Sequence, residues 1–402
     1  MKLNVAKCLM AIWMLSAVGC TNNLGTIDSN PIEEMATVKL SVGLDGMTTS
    51  RADLSGTLDG SDYQKKHEIS DGTHATTLIY ALYKEEKNGD RTLLKREKRE
   101  NVNFPVDDIE FQLVKGFEYM LVFWAQSPEA DKYYDTSDLK AIKVNYTDTD
   151  GKAMANNDEL RDAFCARRSM KLTQDTEAVN IILKRPFAQI NVGMTKTAWD
   201  AVVRNYKNIK TSSIELSGIC NTYNLLDDNM VYDEQSIVDV DFAAATIPSD
   251  EDYKYHTSKY LKVDLDRNGK INDYENEKPE EFIWVSMCYV LVPGYTSSDT
   301  QDSDSAIEYS TLVDLKQLIL GYDGYTDEDT KLGFEASTFE LGEVPNLPTL
   351  RNHRTNLILD SWPIDTKAIT IEICPEYNGD TKHEGSDNTD TPNDGHNALS
   401  PR

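Results

Sequence analysis

Apolar residues fall in short runs rich in β-branched and aromatic side chains. VKLSVGL (38–44), TLIYALY (77–83), YMLVFWAQ (119–126) and AIKVNY (141–146) are separated by turn-formers such as Asn88-Gly89-Asp90. A second series comprises VNIILKR (179–185), FAQINVG (187–193), SIELSGI (213–219), FIWVSMCYVLV (282–292) and ITIEIC (369–374). Short strands at this spacing predict an all-β chain of β-sandwiches rather than a parallel α/β sheet. One helix interrupts them: in TAWDAVVRNY, Trp199, Val202, Val203 and Tyr206 fall at i, i+3, i+4 and i+7. A shorter helical turn is expected at 156–166 (NNDELRDAFCA), whereas STLVDLKQLIL (310–320) fits a helix or a strand. Phe187, Ile190 and Val192, with Trp124, Trp284 and Trp362, read as core. Lys184-Arg185-Pro186 reads as a strand break, which puts a domain boundary within 186–192 and predicts domains at 36–188 and 189–376.

The two ends of the chain read differently. Lys2 and Lys7 precede an apolar run from Cys8 to Val18, the pattern of a secretory signal, and the run is too short to span a bilayer. Ala17-Val18-Gly19-Cys20 resembles a bacterial lipobox, with Ala17 where Leu is more usual. That reading removes residues 1–19 and places acyl chains on Cys20, each buried CH₂ adding about 0.8 kcal/mol of membrane anchoring. Residues 20–35 then form a polar tether. The tail at 377–402 is nearly devoid of apolar residues and is expected to be disordered.

The 402 residues carry 41 Lys and Arg against 68 Asp and Glu, a net charge of −27. Such a balance excludes nucleic acid as the main partner, because phosphate binding needs clustered cations. The length suggests about two domains. Besides Cys8 and Cys20, the chain has Cys165, Cys220, Cys288 and Cys374, widely spaced and without a Cys-x-x-Cys. Export permits disulfides, but four Cys allow three connectivities, and buried free thiols are expected. The six His are scattered, and nucleophile-elbow, Walker and dinucleotide motifs are absent, so no enzymatic activity is expected.

One local motif carries chemistry. DLDRNGKINDYE (264–275) satisfies the spacing of a Ca²⁺-binding loop. Asp264, Asp266 and Asn268 stand at positions one, three and five, Lys270 offers its carbonyl at seven, Asn272 stands at nine and Glu275 at twelve. Gly269 permits the sharp turn. Ca²⁺ takes six to eight oxygens at about 2.3–2.6 Å, which this spacing could supply. The flanks are not helical in pattern, so the expectation is a Ca²⁺ loop without the full helix–loop–helix unit, set against an acidic Asn-Gly turn between strands.

Several strings together resemble the fimbrillin-like lipoproteins of Bacteroidales, subunits of type V pili. They are ISDGTHATTLIYALYKEEKNG (69–89), LVKGFEYMLVFWAQ (113–126), YYDTSDLKAIKVNY (133–146), NDELRDAFCA (157–166) and VNIILKRPFAQINVG (179–193). Near the C-terminus, VPNLPTLRNHRTNLIL (344–359) looks like the family's Arg-Thr-Asn segment, with Arg354, Thr355 and Asn356 in place. The resemblance implies two transthyretin-like Greek-key sandwich domains, and a lipoprotein precursor carried to the outer membrane. It also implies assembly with other fimbrial subunits by strand exchange: a protease cuts after an N-terminal Arg, the first strand leaves, and the groove accepts a strand of the next subunit. Here VKLSVGL would be the strand removed and Arg51 the cut site. The alternative is a monomeric outer-membrane lipoprotein that binds a glycan or a host or bacterial surface ligand through exposed loops.

Overall fold

The computed structural model describes residues 34–45, 72–205, 209–231, 235–247, 254–256, 260–263, 267–275, 281–292, 308–309, 311–322, 325–326, 333–334, 337–361 and 369–374. The signal, Cys20, Arg51, Asp264, Asp266, Trp362 and the tail lie outside them. The described chain is all-β with one short α-helix. No helix among the described residues is long and apolar enough to cross a membrane.

The first strands are β1 (Met35–Leu44), β2 (Thr77–Glu85), β3 (Arg91–Arg99), β4 (Val106–Val114) and β5 (Glu118–Gln126). The connection after β5 holds 3₁₀ turns at Pro128–Lys132 and Glu159–Arg161 and two short strands, β6 (Tyr134–Asp135) and β7 (Ile142–Val144). Then come β8 (Ala163–Lys171), β9 (Thr176–Leu183), β10 (Phe187–Thr195) and α1 (Lys196–Asn205). Beyond the helix lie β11 (Ile209–Cys220), β12 (Thr222–Asn224), β13 (Asn229–Met230), β14 (Ile237–Thr246), β15 (Lys254–His256), β16 (Tyr260–Val263), β17 (Lys270–Glu275) and β18 (Glu281–Leu291). The last are β19 (Glu308–Tyr309), β20 (Thr311–Tyr322), β21 (Tyr325–Thr326), β22 (Gly333–Phe334), β23 (Ser337–Leu341), β24 (Val344–Thr349), β25 (Arg354–Leu359) and β26 (Ile369–Cys374).

A three-stranded sheet, β4-β1-β9, faces a four-stranded one, β3-β2-β5-β8, across one apolar cluster. The second sheet's central strands β2 and β5 are buried on both faces, which is why they read as unbroken apolar runs. Leu78, Tyr80 and Leu82 point into this sandwich, whereas Ile79, Ala81 and Tyr83 point into a second cluster. That second cluster runs on through Tyr133, Tyr134 and Ile142 to the strands of a curled sheet in which β10 lies between β25 and β18. Trp124 stands edge-on to Tyr134 and Phe187, with ring centroids 5.4 and 6.3 Å away. The stretch 186–192 therefore begins a strand whose first side chain packs on β5. Trp124 and Trp284 are 0% and 1% exposed, and Phe187, Ile190 and Val192 are fully buried, as core readings require.

Two local expectations are settled by the backbone. The 156–166 stretch makes only one 3₁₀ turn, capped by Asp158, whose carboxylate accepts from the Leu160 N–H at 3.0 Å, before turning extended at Ala163. Phe164 and Cys165 fill opposite faces of β8, and an apolar run buried on both faces has no period to separate helix from strand. STLVDLKQLIL is strand β20. Helix α1 forms as its pattern predicts, with Ala198 and Val202 buried and Trp199 half-buried.

Candidate strand-exchange site

β1 is the centre of its sheet. It runs antiparallel to β4, from Met35 opposite Val114 to Val42 opposite Val106. It runs parallel to β9, from Thr37 opposite Thr176 to Leu44 opposite Leu183. Its inward positions alternate along the strand: Ala36, Val38, Leu40, Val42 and Leu44 are each 2% exposed or less, while Lys39 faces solvent. Those inward chains share a cluster with Leu78, Tyr80 and Leu82 of β2 and with Leu121 and Phe123 of β5. On the outer face the Gln112 amide donates to Thr37 Oγ1 at 2.8 Å, and the Ser41 hydroxyl donates to Asp107 where β4 bulges. At the strand's ends the Thr37 and Asp45 N–H groups donate to the Asp175 and Leu183 carbonyls, both at 2.8 Å.

Burying Val38, Leu40, Val42 and Leu44 at about 1.5–3 kcal/mol each contributes about 6–12 kcal/mol. Whole domains are stable by about 5–15 kcal/mol. Without β1, a groove floored by β2 and β5 would open, and β4 and β9 would each show a row of unpaired N–H and C=O groups. Only a strand of matching alternation closes such a groove. β1 is also the first of the described strands, so one break in the stretch 46–71 separates it from the described strands that follow. Arg51 belongs to that stretch, whose flanking residues come together. A Cβ on Gly72 would lie 3.5 Å from Leu44 and 2.9 Å from Phe164, and the φ of +74° there favours glycine.

The far end of β1 carries a tie that the sequence pattern does not reveal. Asn352 Nδ2 donates to the Asp45 carboxylate at 2.7 Å, and its Oδ1 accepts from the Arg185 N–H at 3.1 Å. The Asn352 N–H donates to the Phe187 carbonyl at 2.8 Å. Its φ of +58° suits Asn, which visits the left-handed region more readily than most residues. Arg185 is itself buried, with Nε and a terminal nitrogen donating to Asp162 at 2.6 and 2.7 Å and its guanidinium 4.3 Å from the centroid of the Phe164 ring. Arg354, Thr355 and Asn356 are buried in β25, where Asn356 Oδ1 accepts from Asn191 at 2.9 Å and the Thr355 hydroxyl donates to the Pro348 carbonyl at 2.7 Å. The Arg-Thr-Asn segment is thus an interior strand.

Of the calcium-spaced residues, Asn268, Lys270 and Asn272 are exposed, and Glu275 is placed by its backbone. β16 and β17 form a hairpin in which Val263 faces Asn272 and Tyr260 faces Glu275. Asn268 Oδ1 accepts from the Lys270 N–H at 2.8 Å. Lys270 and Glu275 lie at opposite ends of β17, about 17 Å apart along the strand. Among the described residues, no three His, Cys, Asp or Glu side chains converge as metal ligands. Cys165, Cys220 and Cys288 are free and buried. Burial pushes the first two thiols up to about 11 and the third to about 12.

A protein-family model described as a family of unknown function, DUF6562, matches residues 30–272. No curated protein matches the chain. Among solved structures, a candidate adhesin from Bacteroides thetaiotaomicron is similar at 7% identity and a TM-score of 0.39, over 85% of this chain and 97% of that one. The tip fimbrial protein Mfa3 from Porphyromonas gingivalis is similar at 9% identity and 0.36, over 85% and 99%. A fimbrial assembly protein from Parabacteroides distasonis is similar at 10% and 0.30, over 85% and 99%. Likeness at this level assigns no function.

Proposed function

Because the chain belongs to the DUF6562 family, whose function is unknown, its role has to come from its own residues, and we propose that it is a non-enzymatic subunit of a surface fimbrium, exported as a lipoprotein and assembled by strand exchange. Cys20 carries the lipid that holds the precursor on the outer membrane. Cleavage after Arg51 releases β1, and the groove between β4 and β9 takes a strand from the next subunit. Backbone ladder bonds on both sides give the affinity, and alternate apolar side chains refill the positions of Val38, Leu40, Val42 and Leu44. The observation that carries this reading is the position of β1, first of the described strands yet central in its sheet. Treatment of the purified precursor with an Arg-specific protease tests it. Cleavage at Arg51 followed by an SDS-resistant ladder is expected, with Arg51→Ala blocking both. A precursor that stays an uncut, lipidated monomer would sink the polymer and leave an anchored monomeric binder, for which the buried Trp124 and Trp284 offer no sugar platform.

A further inference from the structure

On one side of the β1–β9 sandwich both sheets end together. β4 is the last strand of one sheet and β3 of the other, and among the described residues neither outer edge is paired. The two edges differ in charge. β3, RTLLKREKR, holds Arg91, Lys95, Arg96, Lys98 and Arg99 against one carboxylate, Glu97. The outward positions of β4 are Asp107, Asp108, Glu110 and Gln112, all exposed. In the middle of β3, Leu93 and Leu94 are each 48% exposed, opposite an irregularity in the ladder at Leu82–Tyr83. Within one copy, Arg99 pairs with Asp108 at 2.6 Å and the Lys95 ammonium lies 5.5 Å from the Phe111 ring centroid. As β3 advances from 95 to 99, its partners on β4 descend from 111 to 108, so the two edges are antiparallel.

On a chain of net charge −27, two copies repel over most of their surface. We propose that this side of the sandwich docks a second copy of the chain, with β3 of each copy laid along β4 of the other. A two-fold axis parallel to the strands exchanges the upper and lower sheets, so each basic edge meets an acidic one. Both new pairings are antiparallel, and each sheet continues across the interface. Leu93 and Leu94 then leave water at its centre. Pairing β3 with β3 would instead set two cationic strands against each other. The contact closes at two copies and uses neither β1 nor a cut at Arg51, so it goes beyond the fimbrial reading and stands or falls separately.

Sedimentation velocity on the purified, uncut full chain tests the surface, read at about 0.05 M and about 0.5 M NaCl to vary screening. A monomer–dimer equilibrium is expected, about tenfold weaker at the higher salt. Glu110→Lys and Lys98→Glu should each weaken it, and the double variant should recover part of the loss because opposite charges meet again, while melting curves report that each variant is folded. A wild-type chain that remains monomeric at both salts would overturn the proposal and leave the charges as a guard against edge pairing. Dimers indifferent to salt and to both substitutions, or assemblies that grow past two copies without proteolysis, would overturn it as well.

Discussion

Leu40→Ala separates a strand that stays from a strand that leaves. Leu40 is 2% exposed and sits in the middle of β1 among the inward side chains of both sheets. Truncation removes most of its buried side chain and leaves a cavity between close-packed layers, a change that costs about 2–5 kcal/mol. Because β1 is paired along both sides, the backbone has little freedom to collapse into that space, and the upper half of the range is expected. Urea unfolding of the uncut precursor should show the midpoint fall with little change in slope. After cleavage and polymerisation the substituted residue has departed with β1, so polymers of wild-type and Leu40→Ala subunits should unfold at the same denaturant concentration. A polymer weakened as much as its precursor would mean that β1 remains in place, and would refute strand replacement while leaving the fold intact.

Other perturbations probe the surrounding structure. Asp162→Asn leaves Arg185 buried without its carboxylate and should cost about 3–5 kcal/mol in urea unfolding, whereas Lys196→Ala, which breaks an exposed pair with Asp200, should cost under about 1 kcal/mol. Burial opposes ionisation of Asp228, but Arg351, the Tyr223 hydroxyl and Arg167 outweigh it and hold the carboxyl below its ordinary value. A depressed carboxyl contributes stability that is present above its unfolded value of about 3.9 and lost as pH falls through the lower folded value. Acid unfolding curves for wild type and Asp228→Asn should therefore converge below about pH 4. Native alkylation at pH 8 followed by peptide mass mapping should leave Cys165, Cys220 and Cys288 unmodified, since burial raises all three thiols, and prior denaturation should expose them. If the 264–275 loop takes Ca²⁺ as its spacing predicts, the melting temperature rises in millimolar Ca²⁺ over that in EDTA, and no shift would remove the site.

The strands legible in the sequence are those buried on one or both faces. β2, β5, β10 and β18 show long apolar runs because both their faces are buried, and β1 alternates because its inner face is the more deeply buried one. β3 escapes notice because an edge strand carrying Arg, Lys and Glu has no apolar face to report. β4 does alternate at Ile109, Phe111 and Leu113, but these three apolar positions are too few to stand out, and its bulge at Asp107–Asp108 breaks the pattern. Legibility ends where partners are distant. Asn352 binds Asp45 across 307 positions, and nothing local to either residue announces the other. The same limit applies to the candidate site. The alternation of VKLSVGL would look identical on an edge strand, whose loss would expose only one new row of backbone groups. What makes the loss of β1 require a replacement is β9, which arrives 139 positions later and pairs parallel along its second side. Chain order makes β1 removable with one cut, and sheet order makes its absence intolerable; strand exchange needs both, and only the fold brings them together.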